Sequence, residues 1–327
     1  MELRQVPRLM AHILATSRSF SSGSRDLLGE LAAEGHQVTR GSSTHHLDEL
    51  GPQLAHIDAW IAGTGPITAA HLDAAPRLKV VARYGVGIDA VDRAAAAERG
   101  ILVTNTPGAN SGAVADHAVG LMLAVLRGTT EGDRRVRMGN WSVLRGRELG
   151  SLTIGIVGFG RIGQGVARRL SGFGSRIVAH DPWLGDDAIR AADAQPLDVA
   201  EMPARCDLVS LHAPGGAVIV DSGWLASARR GLVLVNTARP DLIDEGPLAA
   251  ALRDGRLAGF AADTLAGDTA GLTSPLLADD LADRVVITPH FGAQTVEAVD
   301  AMGSMAVSNV LAVLAGATPP FPVPLEG

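Results

Sequence analysis

The sequence predicts an α/β protein: two doubly wound parallel-sheet domains, each with helices on both faces. Three observations carry that expectation. Short β-branched or apolar runs alternate with helically spaced apolar positions along almost the whole chain, as in βαβ units. Residues 152–181 form one self-contained strand–turn–helix–strand unit. That unit begins near the middle of 327 residues, after a complete α/β segment, and the length accommodates two domains.

The central unit opens on Leu152, Thr153, Ile154, Gly155, Ile156 and Val157, a run suited to a buried parallel strand. Gly158, Phe159, Gly160, Arg161, Ile162 and Gly163 follow, and the apolar spacing turns helical at Ile162, Val166 and Leu170. A second strand, 176–179, delivers Asp181 just past its carboxyl end. Each part has a physical task. Gly158 permits a tight turn, Gly160 lets the backbone approach a pyrophosphate, and Gly163 allows close helix–strand packing. The helix N-terminus offers unpaired N–H groups and a positive dipole end. Asp181, eighteen residues after Gly163, is placed to accept hydrogen bonds from an adenosine ribose. A lone GxGxxG is common in α/β turns, but strand, helix and carboxylate in register specify a dinucleotide site. The expected cofactor is NAD. A carboxylate repels the 2′-phosphate of NADP, and Pro182 and Trp183 supply no cation.

Before this unit, strands are expected at 11–16, 59–62, 79–82 and 101–104, with helices at 24–34, 68–74 and 90–98. Gly35 ends the first helix as a C′ glycine should. Two glycine-rich loops, 63–66 and 85–89, follow strands, where open α/β sheets bind ligands. Ser111 is an N-cap candidate for a helix at 113–127 that is apolar almost all round, so it is buried or lies between domains. Asp116 and His117 are its only ionisable residues before Arg127. The basic positions Arg134, Arg135 and Arg137 read as a solvated face. After Asp181 strands are expected at 208–211, 232–236, 259–262 and 285–288, with helices at 224–228, 245–253 and 295–315. The proline-rich tail 319–324 cannot be helical and should lie along a surface.

Composition excludes several classes. Hydrophobic residues make up 46% of the chain, which rules out general disorder, and a formal charge of −7 gives no basic field for nucleic acid or anionic membrane. No apolar run is seen that approaches the roughly 20 residues needed to span a bilayer. The single cysteine, Cys206, cannot form an internal disulfide and reads as a packing residue at a strand entry. The expected location is cytoplasmic. His45 and His46 lie in a polar loop with no Cys or Glu spaced as further ligands, so no metal is expected.

A nicotinamide cofactor implies hydride transfer, which requires a proton donor or acceptor and a cation for a substrate carboxylate. Three residues at strand ends could serve. Arg239 follows the 232–236 run, and its planar fork suits a carboxylate. His290 follows the 285–288 run, and an imidazole can donate to a carbonyl or accept from an alcohol. Asp268 lies on the loop after 259–263, where a carboxylate could pair with His290.

Five segments, taken in order, resemble the D-isomer-specific 2-hydroxyacid dehydrogenases. They are Gly85 to Asp92, Asn105 to Gly108, the Gly158–Gly163 turn, Asn236 to Arg239, and Thr288 to Ala293. The resemblance spans about residues 58–316. It implies a Rossmann nucleotide-binding domain, 111–294, inserted into a flavodoxin-like substrate-binding domain made from 1–110 and 295–327. It implies Arg239 as carboxylate binder, His290 as acid/base with Asp268 beside it, and the N–H groups of Val86 and Gly87 as a second carboxylate anchor. Cofactor contacts are implied at Arg161, Ile162, Ala213, Thr237, Ala238, Asp263 and Gly292, beside Gly158, Gly160, Gly163 and Asp181. A homodimer is the family's habit.

Three positions depart from the family pattern. Asp268 stands where a glutamate is usual, five residues after Asp263, and its shorter side chain reduces reach by about 1.5 Å. Pro240 follows Arg239 in place of glycine and biases Arg239 toward extended backbone. Gly63, Thr64 and Gly65 occupy a loop where phosphoglycerate dehydrogenases usually carry arginine, leaving Arg83 as the cation available to an anionic substituent. The expected function is NAD-dependent interconversion of a small 2-oxo acid and its D-2-hydroxy acid. The competing expectation is a catalytically weak NAD(H)-sensing regulatory protein on the same fold.

Overall fold

The computed structural model describes residues 10–267 and 273–324. The chain divides into two compact units, one from the segments up to Asn110 and from Gln294 onward, the other from Ser111–Ala293.

The discontinuous unit holds five parallel strands: β1 His12–Ala15, β2 Gln37–Arg40, β3 Ala59–Ala62, β4 Val80–Arg83 and β5 Leu102–Thr104. Their order, β2-β1-β3-β4-β5, is the flavodoxin-like one. β3 and β4 are buried along their whole length, which is why Ala-Trp-Ile-Ala and Val-Val-Ala, up to Arg83, read as continuous apolar runs. Two elements here escape sequence reading. β2 is a polar edge strand with no fully buried residue. Helix Leu47–Leu54 contains Gly51 and Pro52, ordinarily breakers, yet it forms because Leu50 and Leu54 are wholly buried. Helix ends otherwise follow their caps: Asp26 accepts from Gly29 N–H, Asp92 from Ala95 N–H and Thr295 from Ala298 N–H.

The expectation about apolar runs needs one amendment. Helix Val296–Leu314 is long and apolar enough to cross a membrane by length and composition alone. Its inner face, including Val299, Met302, Ala306 and Val310, is buried within this unit, so it serves as a core helix. The tail beyond it pairs with β5: Thr104 bridges Pro322 antiparallel, and Val323 N–H donates to the Val103 carbonyl at 2.9 Å.

His45 also differs from expectation. Although it lies in a polar loop, it is buried, with φ of +59°. Its Nε2 lies 2.7 Å from Thr16 Oγ1, which accepts from Trp60 Nε1–H at 3.0 Å and Gly63 N–H at 3.2 Å. The Thr16 proton therefore points at His45 Nε2, and the other ring nitrogen, facing the Pro66 carbonyl at 3.2 Å, carries the hydrogen. Burial above all holds this ring down to about 4. The unfolded chain takes up this proton near the ordinary value of 6.5 and the folded chain only near 4. Stability therefore falls as pH drops through that window, by up to roughly 3 kcal/mol, and His45 removes no more below it. Thermal melts at about pH 7.5 and about pH 5 check this. His45→Asn, tolerated at positive φ, should narrow the gap in Tm, and an unchanged gap refutes the assignment.

The central unit holds seven parallel strands: β6 Thr153–Val157, β7 Arg176–His180, β8 Gln195–Pro196, β9 Leu208–Leu211, β10 Leu232–Asn236, β11 Leu257–Ala262 and β12 Val285–Ile287. The order β12-β11-β10-β9-β6-β7-β8 is the classical doubly wound arrangement with one added strand. Strand order reverses between β6 and β9, where such sheets bind ligands. One face is covered by Ser111–Arg127 and Arg161–Ser171, burying Met122, Ile154, Ile156, Val166 and Leu170. The other carries Glu245–Arg253, with Leu248 and Leu252 against Leu234 and Phe260. Ser111 is the first residue of its helix rather than its cap. The basic stretch after it is helical, Thr129–Arg137, with Glu131 paired to Arg134 and Arg135. Cys206 is fully buried, its thiol pushed up to about 12 by burial, as befits packing.

Candidate active site

The glycine turn behaves as its residue types require. Gly158 has φ of +85°, and a Cβ there would lie 2.6 Å from the His212 carbonyl. Gly163 packs so closely that a Cβ would come 2.2 Å from the Gly158 oxygen. Gly160, between them, faces open space, with no atom within 4 Å of an ideal Cβ. Two glycines closed by packing and one open to a ligand form the cradle a pyrophosphate needs. Arg161 and Ile162 start the helix behind it. Asp181, at the end of β7, accepts from Phe159 N–H at 2.7 Å and Trp183 N–H at 2.9 Å. Its carboxylate is thus fixed to the glycine turn, with lone pairs left for ribose hydroxyls. These residues fit a bound NAD.

Register places the other candidates in one row. Val157, Leu211, Asn236, Ala262 and Ile287 are successive partners across β6, β9, β10, β11 and β12. The residues just beyond them therefore leave the sheet at one level: Gly158, His212–Ala213, Thr237–Arg239, Asp263 and Thr288–His290. Arg239 and His290 follow strands two spacings apart, roughly 10 Å. Asn236 shapes the first of these turns, its Oδ1 accepting from Ala238 N–H at 2.9 Å and its Nδ2 donating to the Arg239 carbonyl at 2.8 Å. Arg239 is extended, φ −137° and ψ 141°, as Pro240 requires. His212 lies under Thr237, its Nδ1 3.4 Å from Thr237 Oγ1, and desolvation holds its ring down to about 4.

His290 stands out by conformation, with φ of +52°. Outside glycine this is uncommon and must be held in place. Asp263 holds it. Its carboxylate accepts from Thr288 Oγ1–H at 2.5 Å, Phe291 N–H at 3.0 Å and Gly292 N–H at 2.7 Å. The Thr288 hydroxyl in turn accepts from His117 Nε2–H at 2.9 Å, and that nitrogen is 3.4 Å from Asp263 itself. Asp263 is only 4% exposed. Burial pushes its carboxyl up, but the bonds from His117, Thr288, Gly292 and Phe291 outweigh that and hold it below the ordinary carboxylate range. Gly292 is required, since a Cβ would fall 2.9 Å from the Asp263 oxygen. Asp263 and Gly292, expected as cofactor contacts, are hydrogen-bonded to each other and build the His290 turn. His117 was not foreseen in this role. Its only sequence signal is that it interrupts an apolar helix, and its partner is 171 positions away.

Asp268 lies outside the described residues. In the discontinuous unit Arg83 is buried, its Nη1 donating to the carbonyls of Ala62 at 3.2 Å and Tyr84 at 2.6 Å. Its Nη1 thus satisfies strand-end backbone. Val86 and Gly87 follow in a loop clamped by the Asn105–Gly108 segment. Gly85 N–H donates to Thr106 Oγ1 at 3.1 Å, and Asn105 Nδ2 donates to the Val86 carbonyl at 2.9 Å. Among the described residues no group of three or more His, Cys, Asp or Glu could hold a metal ion.

A doubly wound sheet with this glycine cradle and this carboxylate defines a dinucleotide-binding domain. Residues 119–292 match the family model described as D-isomer specific 2-hydroxyacid dehydrogenase, NAD binding domain. A D-3-phosphoglycerate dehydrogenase of Mycobacterium tuberculosis is 38% identical over 304 residues, 91% of this chain and 57% of that protein. A glyoxylate reductase of Thermofilum pendens is 38% identical over 269 residues, 79% of this chain and 78% of that protein. The TT0316 protein from Thermus thermophilus superposes with a TM-score of 0.85 at 36% identity, covering 96% of this chain and 100% of that one. A NAD-dependent formate dehydrogenase from Staphylococcus aureus, in complex with NAD, gives 0.79 at 29% identity, covering 92% and 94%. The chain belongs to the D-isomer-specific 2-hydroxyacid dehydrogenase family, and its central unit is that family's NAD-binding domain. It spans about half the length of the phosphoglycerate dehydrogenases it matches.

Proposed function

We propose that the chain is an NAD-dependent oxidoreductase interconverting a small 2-oxo acid and its D-2-hydroxy acid. The observation that supports this most is His290, held at positive φ by a buried carboxylate at the carboxyl edge of an NAD-binding sheet. NADH, when bound, supplies the hydride. In the direction of reduction, Arg239 binds the substrate carboxylate and His290 gives its proton to the carbonyl oxygen. In the reverse direction His290 takes the proton from the alcohol. Asp268 is proposed to support His290. The N–H groups of Val86 and Gly87 are proposed as further carboxylate donors, and Ala213, Thr237 and Ala238 as cofactor contacts.

The proposed substrate carries no second anionic group. Gly63, Thr64 and Gly65 bring no charge to their loop, and the Nη1 of Arg83 is held by two backbone carbonyls. A panel of 2-oxo acids followed by NADH absorbance tests this. Glyoxylate, hydroxypyruvate or phenylpyruvate should oxidise NADH, phosphate- and phosphonate-bearing acids should do so poorly, and NADPH should substitute poorly because of Asp181. Tight NADH binding with no oxidation by any acid would refute the enzyme and favour a sensor.

The protein is also proposed to be a homodimer. Met138, Trp141 and Val143 are 63%, 79% and 93% exposed, three large apolar side chains on one short segment, too exposed for a core role. They follow the Thr129–Arg137 helix on a segment without regular structure through residue 148. Introducing a charge by Trp141→Glu should halve the mass seen in sedimentation while leaving the fold intact. A dimer that survives the substitution places the interface elsewhere.

A further inference from the structure

The carboxylate of Asp241 joins two loops that leave neighbouring strands. β9 and β10 pair in register, with Leu211 opposite Asn236. The loop after β9 runs through Ala213 to Gly216 beside the point where strand order reverses. The loop after β10 carries Thr237 to Asp241. Asp241 Oδ2 accepts from Gly216 N–H at 2.7 Å. A Cβ on Gly215 would lie 2.8 Å from Asp241 Oδ1 and 3.2 Å from Arg239 Cγ, so both side chains occupy the space a side chain at 215 would need. Pro240 starts a short helical turn, Pro240–Leu242, whose preset φ carries Asp241 back toward Gly216. Arg239 thus sits between two pins. Asn236 holds its carbonyl from one side, and Asp241, two residues on, reaches across to the neighbouring loop.

We infer that Asp241 is a positioning residue that fixes the Ala213–Gly216 loop and Arg239 in one arrangement. The inference rests on the proposed assignment of Ala213 to the cofactor and Arg239 to the acid. The hydrogen bond matters here, not the charge, since the donor is a backbone N–H. When the bond is lost, both loops must be ordered at the moment of binding, and the cost falls on cofactor and acid alike.

Three variants of the full chain test this: Asp241→Ala, Asp241→Asn and Gly215→Ala. NADH affinity is read by fluorescence titration without acid, and KM and kcat with whichever 2-oxo acid turns over. Asp241→Ala should weaken NADH binding about tenfold and raise the acid KM about tenfold, with kcat and Tm changed much less. Asp241→Asn should restore both, because its amide oxygen still accepts from Gly216 N–H. Gly215→Ala should reproduce the alanine phenotype by pushing the same contact apart. Unchanged NADH affinity in Asp241→Ala overturns the inference, as does an asparagine variant as impaired as alanine, or a shift in one ligand only. The NADH arm needs no turnover, so an enzyme that accepts no 2-oxo acid refutes the proposed reaction without touching this test.

Discussion

Replacement of His290 by asparagine is expected to lower kcat by a factor of about 10² to 10⁴, the usual worth of a positioned acid/base group. NADH affinity should stay within about twofold. Asparagine is the informative substitution because it tolerates the left-handed backbone this position demands, φ +52°. Alanine would strain the turn as well as remove the imidazole, and its effect would mix two causes. The amide keeps hydrogen-bonding groups but cannot exchange a proton near neutral pH. Loss of kcat with cofactor binding preserved separates a proton-transfer role from a scaffold role. An asparagine variant with near-normal kcat removes His290 from the chemistry.

The second large effect is expected at Asp263. Asp263→Asn turns one acceptor oxygen into an NH2 group that must face N–H or O–H donors, whichever way the amide is placed. The donors are Thr288 Oγ1–H, Phe291 N–H and Gly292 N–H; the carboxylate is the acceptor for both N–H groups, and the Thr288 hydroxyl otherwise reaches the Ala262 carbonyl at 3.4 Å. One unmade buried bond and one donor clash cost roughly 2–4 kcal/mol. The turn that holds His290 in its unusual conformation should then relax, lowering kcat about a hundredfold or more. Crystallography of the variant checks the mechanism directly: the φ of His290 should leave the positive region. A variant with an intact turn and lost activity would return Asp263 to a direct role at the cofactor.

Much of this was legible in the sequence, and the reasons are local. Gly158, Gly160, Gly163 and Asp181 lie within thirty residues, and their duties follow from backbone freedom and strand–helix alternation. The buried strands β3, β6 and β10 announce themselves because parallel strands covered on both faces need no polar alternation. What was not legible depended on distant partners. Helix Leu47–Leu54 overrides its own Gly51 and Pro52 because the core buries two leucines. The Asp263–Thr288–His117 chain links three segments, and no spacing rule connects position 117 to 288. Arg83 looked like a cation for substrate because its type suits that duty. Only the folded chain reveals that two strand-end carbonyls hold its Nη1.

The pairing between the tail and the Asn105 region has a consequence for the order of synthesis. The Asn105 carbonyl accepts from Asn309 Nδ2–H at 3.1 Å, and Asn105 N–H donates to the Phe321 carbonyl at 3.3 Å. Those partners are made more than two hundred residues after Asn105. On the ribosome, residues 111–293 emerge as one contiguous stretch with every strand of their sheet. The earlier strands meanwhile lack the helix and tail segment that cover them. The unit begun before residue 111 is therefore completed only after the central unit has emerged, and its sheet face stays uncovered while residues 111–293 are made.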